Sequence, residues 1–166
     1  MELTKIGVVG AGTMGNGIAQ ALAGAGIEVV LTDVAAAQLE RATKTVAGSL
    51  DRLVRKEKMT EADKAAILGR IRTSTDAGAV ADCGLVIEAA TENVDLKLKI
   101  FASLDGLMKP DAILATNTSS ISITRLAAST KRADRVIGMH FFNPVPVMAL
   151  VELIRGQQTA ESTYAA

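Results

Sequence analysis

Short β-rich apolar runs alternate with longer helical patterns along this chain, and that alternation constrains its fold more than any other feature. The runs fall at residues 6–9, 28–31, 71–74, 85–89, 113–115, 136–142 and 150–154, with helical periodicity over 14–25, 35–58, 60–69 and 93–108 between them. Parallel neighbours in a sheet need a crossover connection, usually a helix, so the pattern predicts βαβ units and an α/β, doubly wound, mostly parallel sheet. Gly24 and Gly26 read as stop signals for the first helix, and Pro110 follows the end of the fourth. With 166 residues, 49% of them hydrophobic, the chain suits one domain with a substantial core. That domain is expected over 1–156. After Gly156 a polar stretch runs to Ser162, so 157–166 reads as the start of a linker or a following helix, cut short between domains.

Lys plus Arg and Asp plus Glu both number 18, which leaves no overall field to draw the chain to nucleic acid or an anionic membrane. Cys83 lies inside the apolar run Cys83-Gly84-Leu85-Val86-Ile87 and reads as a small buried hydrophobe. Near the start, Glu2 and Lys5 surround Leu3 and Ile6, and Gly and Ala soon interrupt the run. No signal peptide or membrane span fits that pattern, so a cytoplasmic location is expected. No metal site is anticipated.

Gly10-Ala11-Gly12-Thr13-Met14-Gly15 follows the first expected strand and opens the first expected helix. In that context a Gly-x-Gly-x-x-Gly match reads as a dinucleotide-binding loop of Rossmann type. Gly10 permits the tight turn, Gly12 lets backbone N–H groups approach a pyrophosphate, and Gly15 lets the helix pack close to the sheet. The helix N-terminus adds unpaired donors and positive dipole. A tight β–α turn with no ligand is the bland alternative. Asp33 follows the second strand, 18 residues beyond Gly15. A carboxylate there accepts hydrogen bonds from the adenine-ribose hydroxyls and repels the 2′-phosphate of NADP, which favours NAD. The bland alternative is that Asp33 merely begins the next helix as an N-cap.

His140, the only histidine, sits at the expected carboxyl end of the sixth strand, where open α/β sheets bind ligands. Imidazole is suited to take a hydroxyl proton near neutral pH, although a histidine beside Phe141 and Phe142 also suits a packed core. Glu152 interrupts the run Leu150-Val151-Glu152-Leu153-Ile154, where an acid is costly to bury without a partner. Pro144 and Pro146 turn the chain between these two segments, so Glu152 can return beside His140 and accept its second N–H. An exposed glutamate on an edge strand is the other reading.

Three blocks in order carry a family resemblance: Gly10–Gly15 extended by Asn16-Gly17-Ile18-Ala19, then Asn117-Thr118-Ser119-Ser120, then Gly138-Met139-His140-Phe141-Phe142-Asn143-Pro144-Val145-Pro146-Val147-Met148. Together they resemble the 3-hydroxyacyl-CoA dehydrogenases, most of all the bacterial short-chain type, over roughly residues 5–156. The resemblance implies interconversion of (S)-3-hydroxyacyl-CoA and 3-oxoacyl-CoA with NAD(H), with His140 as catalytic base and Glu152 as its partner. Ser119 and Asn143 would line the junction of substrate and nicotinamide. Glu92 and Lys97 would contact the ribose and nicotinamide side of NAD; on pattern alone they read as a solvated first helical turn. Ser49 and Lys56 would contact the nucleotide end of coenzyme A, in a stretch where Arg52, Arg55 and Lys58 also gather, otherwise an ordinary wet helix face.

The resemblance further implies a mostly helical C-terminal domain that supplies the dimer contact, another active-site asparagine and part of the acyl-CoA cleft. Nothing in this chain takes those roles, so the chain alone is expected to hold NAD better than it turns over. Two competing readings are an NAD-holding module without turnover and a different β-hydroxy-acid dehydrogenase. Those dehydrogenases characteristically use a lysine base, which the block around His140 argues against.

Overall fold

A computed structural model describes residues 3–166; Met1 and Glu2, which fall within the expected domain, lie outside the described residues. Among the described residues the strands are β1 (Lys5–Val9), β2 (Glu28–Thr32), β3 (Ile71–Ser74), β4 (Leu85–Glu88), β5 (Ile113–Thr116), β6 (Val136–Phe141) and β7 (Val151–Arg155). The helices are α1 (Thr13–Gly24), α2 (Ala36–Arg55), α3 (Glu61–Gly69), α4 (Val94–Leu107), α5 (Ile123–Ala127) and α6 (Glu161–Tyr164). One sheet contains every strand in the order β3-β2-β1-β4-β5-β6-β7. Only the β6–β7 pairing is antiparallel. The chain therefore builds outward from β1 to β3, then returns to place β4 on the other side of β1. This reversal is the switch point at which such sheets open a crevice at their carboxyl ends.

Both faces of the central strands are buried, as parallel strands flanked by helices require. Successive residues of β4 show it: Leu85 and Ile87 join one core cluster with Val8, Ile18, Leu31 and Leu50, while Val86 joins a second with Phe101, Leu104 and Leu126. Cys83 is fully buried in the second cluster. Burial above all, with the Asp82 charge beside it, pushes its thiol up to about 11. The expectation of a small buried hydrophobe stands. No helix among the described residues is long and apolar enough to cross a membrane.

Two local features depart from the sequence expectation. The second helix ends at Arg55 rather than 58, because Glu57 adopts a left-handed φ of 56°. There the N–H groups of Glu57 and Lys58 donate back to Val54 O at 2.9 Å and Leu53 O at 3.0 Å. These are the paired closing bonds of a helix C-terminus that glycine usually signals, and here no glycine marks it. Helix α5, five residues long and begun by the Ser122 hydroxyl accepting the Arg125 N–H, is too short for its periodicity to stand out. Within 157–166, expected as the start of a linker or a following helix, Glu161–Tyr164 forms α6; the Thr159 hydroxyl donates to Val136 O of β6 at 2.6 Å, and the Thr163 hydroxyl to Asp134 O, just before that strand, at 2.8 Å.

A buried guanidinium closes the far end of α4. Arg132 donates to the side chain of Asp105, to the carbonyl oxygens of Asp105 in the last turn of the helix and of its C-cap Met108, and to those of Lys109 and Ala112 in the loop beyond.

Candidate functional site

The glycine loop occupies the carboxyl end of β1 at the switch point. Gly10 has φ +101°, and a Cβ there would lie 2.5 Å from the Ala90 Cα, so only glycine lets this loop touch the loop that follows β4. A Cβ on Gly15 would lie 1.7 Å from Gly10 O, which fixes how closely α1 meets the turn. Gly12 has open space around it instead. It is the N-cap of α1 and offers no side chain to the first-turn N–H groups, which leaves donors for an anion. Thr13 is exposed, Met14 packs against the first core cluster, and Ala11 is buried with its N–H pointing to Asp33.

Asp33 is not the N-cap of α2, a position that Ala35 holds without a side-chain bond; it braces the two loops around it instead. Its Oδ2 accepts the Ala11 N–H at 2.8 Å, tying β2 to the glycine loop, and its Oδ1 accepts the Ala35 N–H at 3.0 Å in the turn into α2. A carboxylate offers about four acceptor sites, so capacity remains for ribose hydroxyls. Beside it opens a cavity of about 450 Å³, lined by Gly10, Asp33, Val34, Ala90, Thr91 and Leu96 among others. Its apolar walls and single carboxylate suit an adenosine. Open donors at Gly12, a left-handed Gly10 against Ala90 and a partly free carboxylate on Asp33 together fit a dinucleotide.

His140 lies near the carboxyl end of β6, directly opposite Glu152 in the antiparallel register with β7. Nδ1 of His140 is 2.8 Å from Oε2 of Glu152, and the His140 and Phe142 rings lie 4.6 Å apart between centroids. The histidine side chain keeps 20% of its surface and the glutamate 52%. His140 is therefore not a sealed core residue. Glu152 is not an acid forced into a buried run either: β7 is an exposed edge strand along its length, and register rather than burial joins the pair. Nε2 of His140 has no hydrogen-bond partner among the described residues. A second cavity, of about 290 Å³, is lined by His140, Glu152, Ser119, Thr118, Ile121 and others.

Ser119 thus shares a cavity with the dyad, while Asn143 is exposed beyond β6 and does not line it. Ser49 is half-buried on α2 and Lys56 exposed at its end, and neither reaches the His140 cavity. Glu92 accepts the Thr118 hydroxyl at 2.7 Å, which joins the loops after β4 and β5. Lys97 is neither solvated nor a free cation at the cleft. It is 1% exposed and donates to Glu88 Oε2 and to Thr116 Oγ1. Sequence reasoning missed Glu88 and Thr116, and also Asn117, whose Oδ1 accepts the Phe141 N–H at 2.9 Å and so holds the peptide following His140. One signal was present: an acid ending the apolar strand Leu85-Val86-Ile87-Glu88 requires a partner. Gly17 was quoted only within a motif. Its missing Cβ makes room for Val145, seating the loop after His140 on α1.

The family model for the NAD binding domain of 3-hydroxyacyl-CoA dehydrogenase matches residues 5–166. A 3-hydroxybutyryl-CoA dehydrogenase of Bradyrhizobium diazoefficiens is 52% identical over 99% of this chain and 56% of its own length. Another, of Clostridioides difficile, is 47% identical over 96% of this chain and 57% of its own length. Among solved structures, the (S)-3-hydroxybutyryl-CoA dehydrogenase of Ralstonia eutropha is 60% identical with a TM-score of 0.97, covering 99% of this chain and 58% of that one. The chain thus spans a little over half the length of these relatives.

Proposed function

Because the chain belongs to the 3-hydroxyacyl-CoA dehydrogenase family as its NAD binding domain, we propose that it is the cofactor half of an enzyme interconverting (S)-3-hydroxyacyl-CoA and 3-oxoacyl-CoA of short chain length. The observation that carries this reading is the His140–Glu152 pair at the mouth of a cavity that also holds Ser119, at the carboxyl end of the sheet whose glycine loop fits NAD. Bound NAD supplies the hydride acceptor. Nε2 of His140 takes the 3-hydroxyl proton as the C3 hydride departs, and the C3–O bond becomes a carbonyl. Glu152 accepts a hydrogen bond from Nδ1–H, fixes the tautomer that leaves Nε2 basic, and stabilises the imidazolium that forms. Ser119, which lines the same cavity, would hydrogen-bond the reacting oxygen. Ser49 and Lys56, with Arg52 and Arg55, form the cationic side of α2 that would meet the phosphates of coenzyme A.

A second reading concerns the chain by itself: it holds NAD without turnover. The openness of the His140 side favours it, since Val151, Leu153 and Ile154 of β7 are each more than a third exposed, and Leu150 and Val147 more than half. Correct alignment of reacting groups supplies about 7–11 kcal/mol of a barrier, so a site lacking a wall loses rate far more than cofactor affinity. The part of the relatives that this chain does not cover would complete that wall. The test sets NADH titration beside NADH-dependent reduction of acetoacetyl-CoA, for this chain and for a full-length relative. Tight NADH binding with turnover only in the longer protein supports both readings. Absence of NADH binding by this chain would contradict both, and turnover by this chain alone would contradict the second.

A further inference from the structure

Glu88, Lys97 and Thr116 form a charged cluster with essentially no exposure, at 0%, 1% and 0%. Register places Glu88 beside Val9 of β1 and Thr116 of β5, so the cluster lies at the carboxyl ends of the central strands, next to the switch point. The Lys97 ammonium donates to Glu88 Oε2 and to Thr116 Oγ1 at 3.2 Å, and the Thr116 hydroxyl donates to Glu88 Oε2 at 2.8 Å. A buried ion pair is weak evidence for stability, because apolar replacements of similar volume often serve as well. Its contacts suggest another task.

On one side, Glu88 Oε1 accepts the Ala90 N–H at 2.9 Å, and Ala90 is the residue that presses on Gly10. Ala90 and Thr91 line the larger cavity beside Asp33. On the other side, Asn117 N–H donates to Glu88 O at 2.8 Å, and the Thr118 hydroxyl reaches Glu92 at 2.7 Å. Thr118 and Ser119 line the cavity of His140. The two cavities therefore share one internal support.

We propose that Glu88, Lys97 and Thr116 act as a spacer that fixes the distance between the two walls of the dinucleotide cleft, so that Lys97 serves the cofactor through Glu88. Resting on the NAD reading above, this makes Glu88 and Lys97 positioning residues. A ligand that touches both walls feels their separation, whereas a ligand confined to one wall does not. Binding through two joined halves gains affinity only when both sites are engaged at once.

The experiment compares NADH with ADP-ribose, which keeps the adenosine and pyrophosphate but lacks the nicotinamide. Titrations use the wild-type chain, the Glu88→Gln/Lys97→Met double variant, which leaves no unpaired buried charge, and Thr116→Val, which removes the hydroxyl that bonds both Lys97 and Glu88 with no charge change. The proposal expects each variant to lose about tenfold or more in NADH affinity and to stay within about twofold for ADP-ribose. Thr116→Val keeps the test decisive if the double variant fails to fold. Parallel losses for both ligands would mean that the cluster only supports the fold, and unchanged NADH affinity would mean that it positions nothing; either result overturns the proposal. A wild-type chain that bound neither ligand would overturn the cofactor reading, and the proposal with it.

Discussion

His140 and Glu152 face each other across β6 and β7, with Nδ1 and Oε2 2.8 Å apart. Strand register sets this distance: the antiparallel pairing runs from Ile137 opposite Arg155 to Phe141 opposite Val151, and Gly138 leaves room for Ile154 in the middle of it. A shift of one residue would turn Glu152 to the other face of the sheet. The turn through Pro144 and Pro146 thus has a chemical consequence, because it decides which residue meets the imidazole.

Glu152→Gln is expected to slow turnover of a full-length protein while leaving NADH affinity unchanged. A charge-assisted hydrogen bond contributes about 1.5–3 kcal/mol, and the half-exposed carboxylate puts this one at the low end, roughly tenfold in rate. Steady-state kinetics with acetoacetyl-CoA, beside NADH titration, provide the check. A variant with wild-type turnover would remove Glu152 from the mechanism.

Asp33 should make the chain prefer NADH to NADPH by more than about tenfold, since the phosphorylated cofactor loses ribose bonds and meets a carboxylate. Asp33→Ser should narrow that gap. It should also loosen the glycine loop, because the Ala11 N–H loses its acceptor. Calorimetric titration with both cofactors decides the matter, and equal affinities in the wild type would count against the assignment.

Gly17→Ala tests whether α1 supports the loop after His140. The added Cβ would sit 2.9 Å from the Val145 Cβ, and Val145 is buried. Overpacking of this kind costs about 1–3 kcal/mol, so the melting temperature should fall. Val145→Ala on that background should recover part of the loss, a coupling that independent sites would not show.

Much of the fold and the cofactor loop was legible because their signals are local: the strand–glycine–helix order, the acid after β2, the histidine block. The missed features depend on distant partners. Lys97 looks like a surface cation until α4 packs it against Glu88, nine residues earlier, and Thr116, nineteen later. The end of α2 at Glu57 rests on backbone bonds that no side chain announces. Glu152 was singled out because burial would be costly, yet it is half exposed and meets His140 through pairing geometry.

Asp105 links the far end of α4 to pH. Burial alone would raise its carboxyl, but hydrogen bonds from Arg132 and the Lys131 N–H, with both positive charges, outweigh that and hold it below the usual value. A depressed folded value means that the stabilisation is complete above the unfolded value of ~3.9 and is lost as pH falls through the folded one. Asp105→Asn should therefore be less stable than wild type at neutral pH, with the difference closing in strong acid. Denaturant unfolding across that pH range measures it. A constant difference would show that charge is not involved.

The central claim, that His140 is the proton acceptor in an NAD-dependent oxidoreductase, is tested most directly by turnover of acetoacetyl-CoA with NADH in a full-length protein carrying His140→Gln. In this direction the same imidazole returns the proton to the substrate oxygen. Loss of a general acid–base group lowers turnover by about 10²–10⁴-fold, and NADH affinity should stay near the wild-type value because the imidazole does not hold the dinucleotide. Wild-type turnover in that variant would contradict the account.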